Sequence, residues 1–206
     1  MIAARLLPFL LIISACGSAA GQGDARGPVL FGDNCAPCHG GAGQGNASIA
    51  APAIAGLPEW YVLAQLHKFR DGVRGAHADD APGLRMRPMS RTLEVDDVPR
   101  LAAHVATMPA QEPGRSTVHG DAEKGKAAYA TCAACHGAAG EGNEAMSAPP
   151  ITQLDDWYMA TQLHNFKSGV RGANPDDTTG AQMRPMAMML ADDAAVNDVV
   201  AYIGTL

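Results

Sequence analysis

Apolar residues recur at helical spacing in matching segments of the two halves of the chain. Trp60–Asp71 and Trp157–Ser168 carry apolar side chains at i, i+3 and i+4, which predicts a helix in each place. Val98–Met108 and Val196–Leu206 show the same periodicity and predict a closing helix for each half. Gly27-x-x-x-Phe31 and Gly125-x-x-x-Tyr129 predict short opening helices. There the glycine admits another helix at close range and the aromatic ring fills the gap beside it. The expected partners are the closing helices, through His104 and Tyr202. No segment alternates apolar and polar residues as a half-buried strand does, so the expected fold class is all-α.

A further apolar run, Leu6–Ile13, follows the single basic residue Arg5 and precedes Ser14 and Ala15. It falls short of the ~18 residues that span a bilayer and reads as a secretory signal over residues 1–15. Ile13-Ser14-Ala15-Cys16 resembles the bacterial lipobox, in which the cysteine is lipidated. Cys16 is therefore the expected lipid anchor, residues 16–26 the tether, and the periplasm the expected location. With 47 % apolar and 17 % charged residues, the 206-residue chain can bury a core. Its net charge of −6 excludes a general nucleic-acid binder. Twenty-three glycines and 14 prolines favour short helices joined by long loops.

Four of the five cysteines form two pairs, each followed at once by histidine: Cys35-Ala36-Pro37-Cys38-His39 and Cys132-Ala133-Ala134-Cys135-His136. This is the attachment signature of c-type haem. Two thiols one helical turn apart add to the two vinyl groups of one haem, and the adjacent imidazole meets the iron. A zinc site also uses such pairs, but the immediate histidine is awkward for the same tetrahedral ion. A thioredoxin-like pair needs a βαβ context that is missing here. With these four cysteines consumed, Cys16 alone remains, and the lipobox accounts for it.

The chain is an internal repeat. Cys35 and Cys132 differ by 97 positions, as do Trp60 and Trp157, His67 and His164, Arg74 and Arg171, and Met86 and Met183. The offset holds as far as Leu93 and Leu190. A period this long means two copies of a small domain, 27–110 and 119–206, with a linker over 111–118. Both halves resemble class I cytochrome c domains, and the whole resembles the two-domain dihaem cytochromes of the c-four type. The resemblance covers nearly all of the mature chain. It implies two covalently bound haems, with Cys35, Cys38, Cys132 and Cys135 as attachment points and His39 and His136 as iron ligands.

The resemblance also implies a distal methionine in a loop before the closing helix, seven residues ahead of a leucine. Counting back from Leu93 and Leu190 favours Met86 and Met183 over Met89 and Met186. His67 and His164 are rival ligands on the middle helix, read here as packed residues. The carbonyls of Pro52 and Pro149 are expected to accept from the proximal imidazoles. Trp60, Tyr61, Trp157, Tyr158, Arg74 and Arg171 are candidates to meet haem propionates. Asp79-Asp80 and Asp176-Asp177 read as solvated turns.

Two His/Met haems leave no open iron site, so the expected role is carriage of single electrons, without catalysis. The donor would be a quinol-oxidising complex or a cytochrome, and the acceptor an oxidase or reductase. A dihaem enzyme, such as a peroxidase or a sulfur-compound oxidoreductase, is the alternative. It would need one specialised distal loop, yet the loops differ chiefly in Arg85 against Gln182 and Ser90-Arg91-Thr92 against Ala187-Met188-Met189.

Overall fold

The computed structural model describes residues 25–112 and 117–206. The signal, Cys16 and most of the tether lie outside the described residues, as does the middle of the linker. Helices form α1 Arg26–Leu30, α2 Ala36–His39, α3 Glu59–Asp71, α4 Ala81–Arg91, α5 Asp97–Thr107, α6 Ala122–His136, α7 Asp156–Ser168, α8 Thr178–Met188 and α9 Asp193–Ile203. Among the described residues the only β-type pairing is two isolated bridges, Asn46–Ala51 and Asn143–Ala148.

The predicted opening, middle and closing helices all form. In the first half the opening helix runs on into the cysteine motif through one wide turn, Phe31–Cys35. There the Ala36 amide reaches the Phe31 carbonyl, five residues back. The second half makes the same journey in one regular helix, α6. Sequence spacing explains the difference. Four positions separate Phe31 from Cys35 and three separate Tyr129 from Cys132, so the first half must absorb one extra residue.

The closing helices cross the opening ones at the two glycines. A Cβ on Gly27 would lie 2.8 Å from the Arg100 carbonyl oxygen, and one on Gly125 only 1.9 Å from that of Asp198. Beside each crossing the predicted aromatic pairs form, Phe31 with His104 at 5.5 Å and Tyr129 with Tyr202 at 5.3 Å between centroids. Phe31, Leu66, Leu93, Val98, Leu101 and Val105 form the first core. The second core is built on Tyr129, Leu190, Val196, Val199 and Val200, and takes in Leu57 and Tyr61 from the first half.

Two expectations need correction. The distal segments are helices, α4 and α8, with Pro88 and Pro185 inside them. A proline removes one backbone bond, but each helix is started by a side-chain cap. Asp80 accepts from the Gly83 amide and Asp177 from the Gly180 amide, both at 3.0 Å. These two aspartates are therefore not solvated turn residues; they are 5 % and 1 % exposed.

Candidate functional site

Each half contains an apolar cavity bounded on one side by the cysteine motif and on the other by the distal helix. Cys35, Cys38, His39, Met86 and Met89 line the first, of about 710 Å³. Cys132, His136, Met183 and Met186 line the second, of about 200 Å³, and half-buried Cys135 sits one turn beyond Cys132 on α6. The helical turn at each motif sets the two cysteines three residues apart and aims the histidine inward.

Both histidines are 8 % exposed. Their Nδ1 atoms meet the carbonyls of Pro52 at 2.7 Å and Pro149 at 2.8 Å, thirteen residues on in each case. The Nδ1–H therefore donates to the carbonyl and Nε2 is left as the lone-pair nitrogen. Desolvation lowers the pKa of both imidazoles, against the opposing pull of these carbonyls, and favours the neutral ligand form. Burial, with help from Cys38, pushes the Cys35 thiol up to about 11. Burial raises Cys132 as well. Without a bound partner such thiols stand protonated near neutral pH. Among the described residues no three His, Cys, Asp or Glu side chains converge to hold a metal ion.

His67 is exposed and His164 lies 3.7 Å from Asp193; neither lines a cavity. The tryptophans cross over: Trp157 lines the first cavity and Trp60 the second. Tyr61, Gln65, Leu154, Tyr158 and Gln162 line both cavities and so form a shared wall one side chain thick.

Sequence reasoning missed how this wall is held. Arg74 donates to Gln65 at 2.9 Å in its own half, and to Tyr158 at 2.8 Å and Gln162 at 3.0 Å in the other. Arg171 mirrors it, donating to Gln162 at 2.8 Å and Gln65 at 3.1 Å. Burial alone would raise the Tyr158 phenol, but the two guanidiniums hold it below its usual range. Asp155 adds a further tie, accepting from the Ala53 amide at 2.8 Å. The recurrence of Tyr61 as Tyr158 and of Arg74 as Arg171 in the repeat was the signal available for this.

The residues present fit a c-type haem. Paired thiols and a tautomer-fixed imidazole stand at one side of each cavity, thioether sulfurs stand at the other, and the walls are apolar. The Nε of buried Arg74, which lines the first cavity, has no hydrogen-bond partner and suits a carboxylate such as a propionate. An attachment motif feeding such a cavity from the end of a helix defines a c-type cytochrome.

Comparison with known proteins agrees. The cytochrome c family model matches twice, over residues 25–109 and 122–206, and the chain belongs to that family. It is a two-domain cytochrome with two covalently bound haems. It is 32 % identical to the thiosulfate dehydrogenase electron acceptor of Stutzerimonas stutzeri, over 74 % of this chain and 72 % of that one. Reduced cytochrome c4 from Pseudomonas stutzeri superposes with a TM-score of 0.71 at 26 % identity, over 91 % of this chain and all of the other. Thiosulfate dehydrogenase from Marichromatium purpuratum gives a TM-score of 0.69 at 26 % identity. That match covers 87 % of this chain, which spans 39 % of the enzyme's length.

Proposed function

We propose that the protein carries single electrons between periplasmic redox proteins, with His39/Met86 and His136/Met183 as the two axial ligand pairs and Cys16 as a lipid anchor. Each haem, when bound, supplies a one-electron iron couple. The observation that carries the reading is the repetition of one closed arrangement. Both cavities have an imidazole pinned by a proline carbonyl on one side and methionine on the other. Met86 is partly buried against the first core, whereas Met89 and Met186 are 38 % and 39 % exposed, which supports Met86 and Met183 as ligands. Thioether sulfur favours ferrous iron and a high potential.

The rims of the cavities differ, which supports two kinds of partner. Residues 25–112 hold eight Lys/Arg against nine Asp/Glu, and 117–206 hold five against eleven. Exposed Arg85 and Arg91 stand on α4, Arg85 bonding the Ile49 carbonyl across the first rim at 2.6 Å. The matching α8 positions carry Gln182 and Met188, beside Met189, and these two methionines are 60 % and 63 % exposed. The first rim suits an acidic partner and the second an apolar one. An upstream dehydrogenase, a quinol-oxidising complex or a cytochrome would be donor, and an oxidase or reductase acceptor.

The test is the near-infrared band of methionine-ligated ferric haem in the wild type, Met86→Ala and Met183→Ala. The expected result is two such haems in the wild type and loss of one in each variant. Retention of the band in a variant moves that ligand to Met89 or Met186. A wild-type high-spin haem that binds cyanide or peroxide rapidly would overturn the carrier reading in favour of an enzyme.

A further inference from the structure

The shared face is not held symmetrically. Lys68, on α3 of domain 1, crosses to domain 2 and donates from Nζ to Asp177 Oδ1 at 2.5 Å and to Thr179 Oγ1. The Lys68 side chain is 17 % exposed and that of Asp177 1 %. The same Asp177 oxygen accepts from the Gly180 amide and starts α8, the helix that carries Met183. At the mirror positions Asn165 stands in place of Lys68 and Pro82 in place of Thr179. Asp80 still caps α4, but the ammonium and the hydroxyl are both replaced, and Asp80 makes no ion pair among the described residues.

We propose that Lys68 is a positioning residue for the second haem centre. Through it, domain 1 fixes the first turn of α8 and with that the seat of Met183, while domain 2 does nothing equivalent for α4 and Met86. The proposal rests on the reading of Met183 as an iron ligand. Its physical basis is that a desolvated ion pair cannot release one member without stranding the other charge. A helix start is otherwise among the first parts of a fold to open. For the Met183 sulfur to swing away, α8 must loosen at its start, and that loosening breaks a contact with the other domain. Loosening of α4 breaks its own cap and contacts such as Arg85 to the Ile49 carbonyl in the same domain, but, among the described residues, no ion pair to domain 2.

The test is displacement of methionine by imidazole in the ferric holoprotein, followed in the near infrared. Met86→Ala and Met183→Ala assign the two phases. Lys68→Met should accelerate the domain 2 phase about tenfold and leave the domain 1 phase within about twofold. Thr179→Val removes one acceptor without stranding a charge and should accelerate the same phase about two- to threefold. Lys68→Arg should restore most of the slow rate. Hydrogen exchange of amides 178–183, against 81–86, reads the clasp without any assumption about the ligand. Unchanged exchange at 178–183 in Lys68→Met overturns the proposal. Equal acceleration of both phases overturns it too, reducing Lys68 to interface adhesion. Raised exchange with an unchanged domain 2 phase breaks the link from clasp to ligand. Failure of the ligand reading itself shows separately, as retention of the second band in Met183→Ala.

Discussion

Replacing Gly125 with alanine should damage domain 2 far more than Gly27→Ala damages domain 1, although the two glycines hold matching places. Neither has a left-handed backbone, so the argument is one of space alone. At Gly27 the added Cβ meets the Arg100 oxygen at 2.8 Å and the His104 Cβ at 3.0 Å, and a few tenths of an ångström relieve it. At Gly125 it meets the Asp198 oxygen at 1.9 Å, the Asp198 carbonyl carbon at 2.5 Å and the Tyr202 Cβ at 2.9 Å. Two of these are backbone atoms, so α6 and α9 must separate by more than 1 Å. Val196, Val199 and Val200, each at most 1 % exposed, then lose contacts they cannot recover. A gap of this size forfeits roughly a quarter to a half of each dispersion contact along it. Against that, alanine gains about 1 kcal/mol of helix propensity over glycine. The net cost should be about 3 kcal/mol for Gly125→Ala and about 1 kcal/mol or less for Gly27→Ala. For a domain of this size that corresponds to a fall of roughly 12–24 °C against at most about 4–8 °C. Thermal unfolding of the holoprotein, followed by far-ultraviolet dichroism and by the haem absorption, measures both. Because α6 ends at His136, the second haem's spectrum should change together with the loss of stability. Equal midpoints for the two variants would refute this account of the crossing.

Two further outcomes follow from charges. Asp97, 4 % exposed, is held below the ordinary carboxylate range first by its hydrogen bond from Arg26, whose Nη2 donates at 2.9 Å. A depressed carboxylate contributes stability that is present above its unfolded pKa of about 3.9 and lost as pH falls through the folded value. Arg26→Gln should therefore move the acid-unfolding midpoint of domain 1 to higher pH, read by dichroism, and leave that of domain 2 in place. In the second case, Arg85→Gln/Arg91→Gln should slow oxidation of the reduced protein by ferricyanide about two- to fivefold at low salt, the difference vanishing near 1 M. An undiminished salt dependence in that variant would remove these arginines from the first rim's docking role.

Much of the architecture was legible because it is local. Apolar periodicity marks α3, α5, α7 and α9, and the cysteine motif announces its own chemistry at a spacing nothing else needs. The hydrogen bonds from His39 to Pro52 and from His136 to Pro149 were also readable, since each partner lies thirteen residues away on the same loop. The distal helices were hidden by Pro88 and Pro185, which suggest a loop until the buried caps Asp80 and Asp177 are seen to hold the first turn. What could not be read was the docking of one copy on the other. Gln65, Lys68 and Gln162 look like ordinary polar positions on amphipathic helices, and Tyr158 like a propionate donor. Their partners lie 84 to 111 residues away along the chain. A repeat reveals that two domains exist without saying which faces meet.

The wide turn at Phe31–Cys35 bears on how a duplicated gene drifts. An inserted residue normally rotates everything beyond it by 100° and would carry the attachment cysteines off the cavity. Here the helix takes up the surplus within a single turn. The glycine crossing upstream and the Cys-x-x-Cys-His motif downstream both keep their places. The opening helix thus tolerates a change of length between its two fixed points, and the twin copies can differ by one codon without either losing its cofactor site.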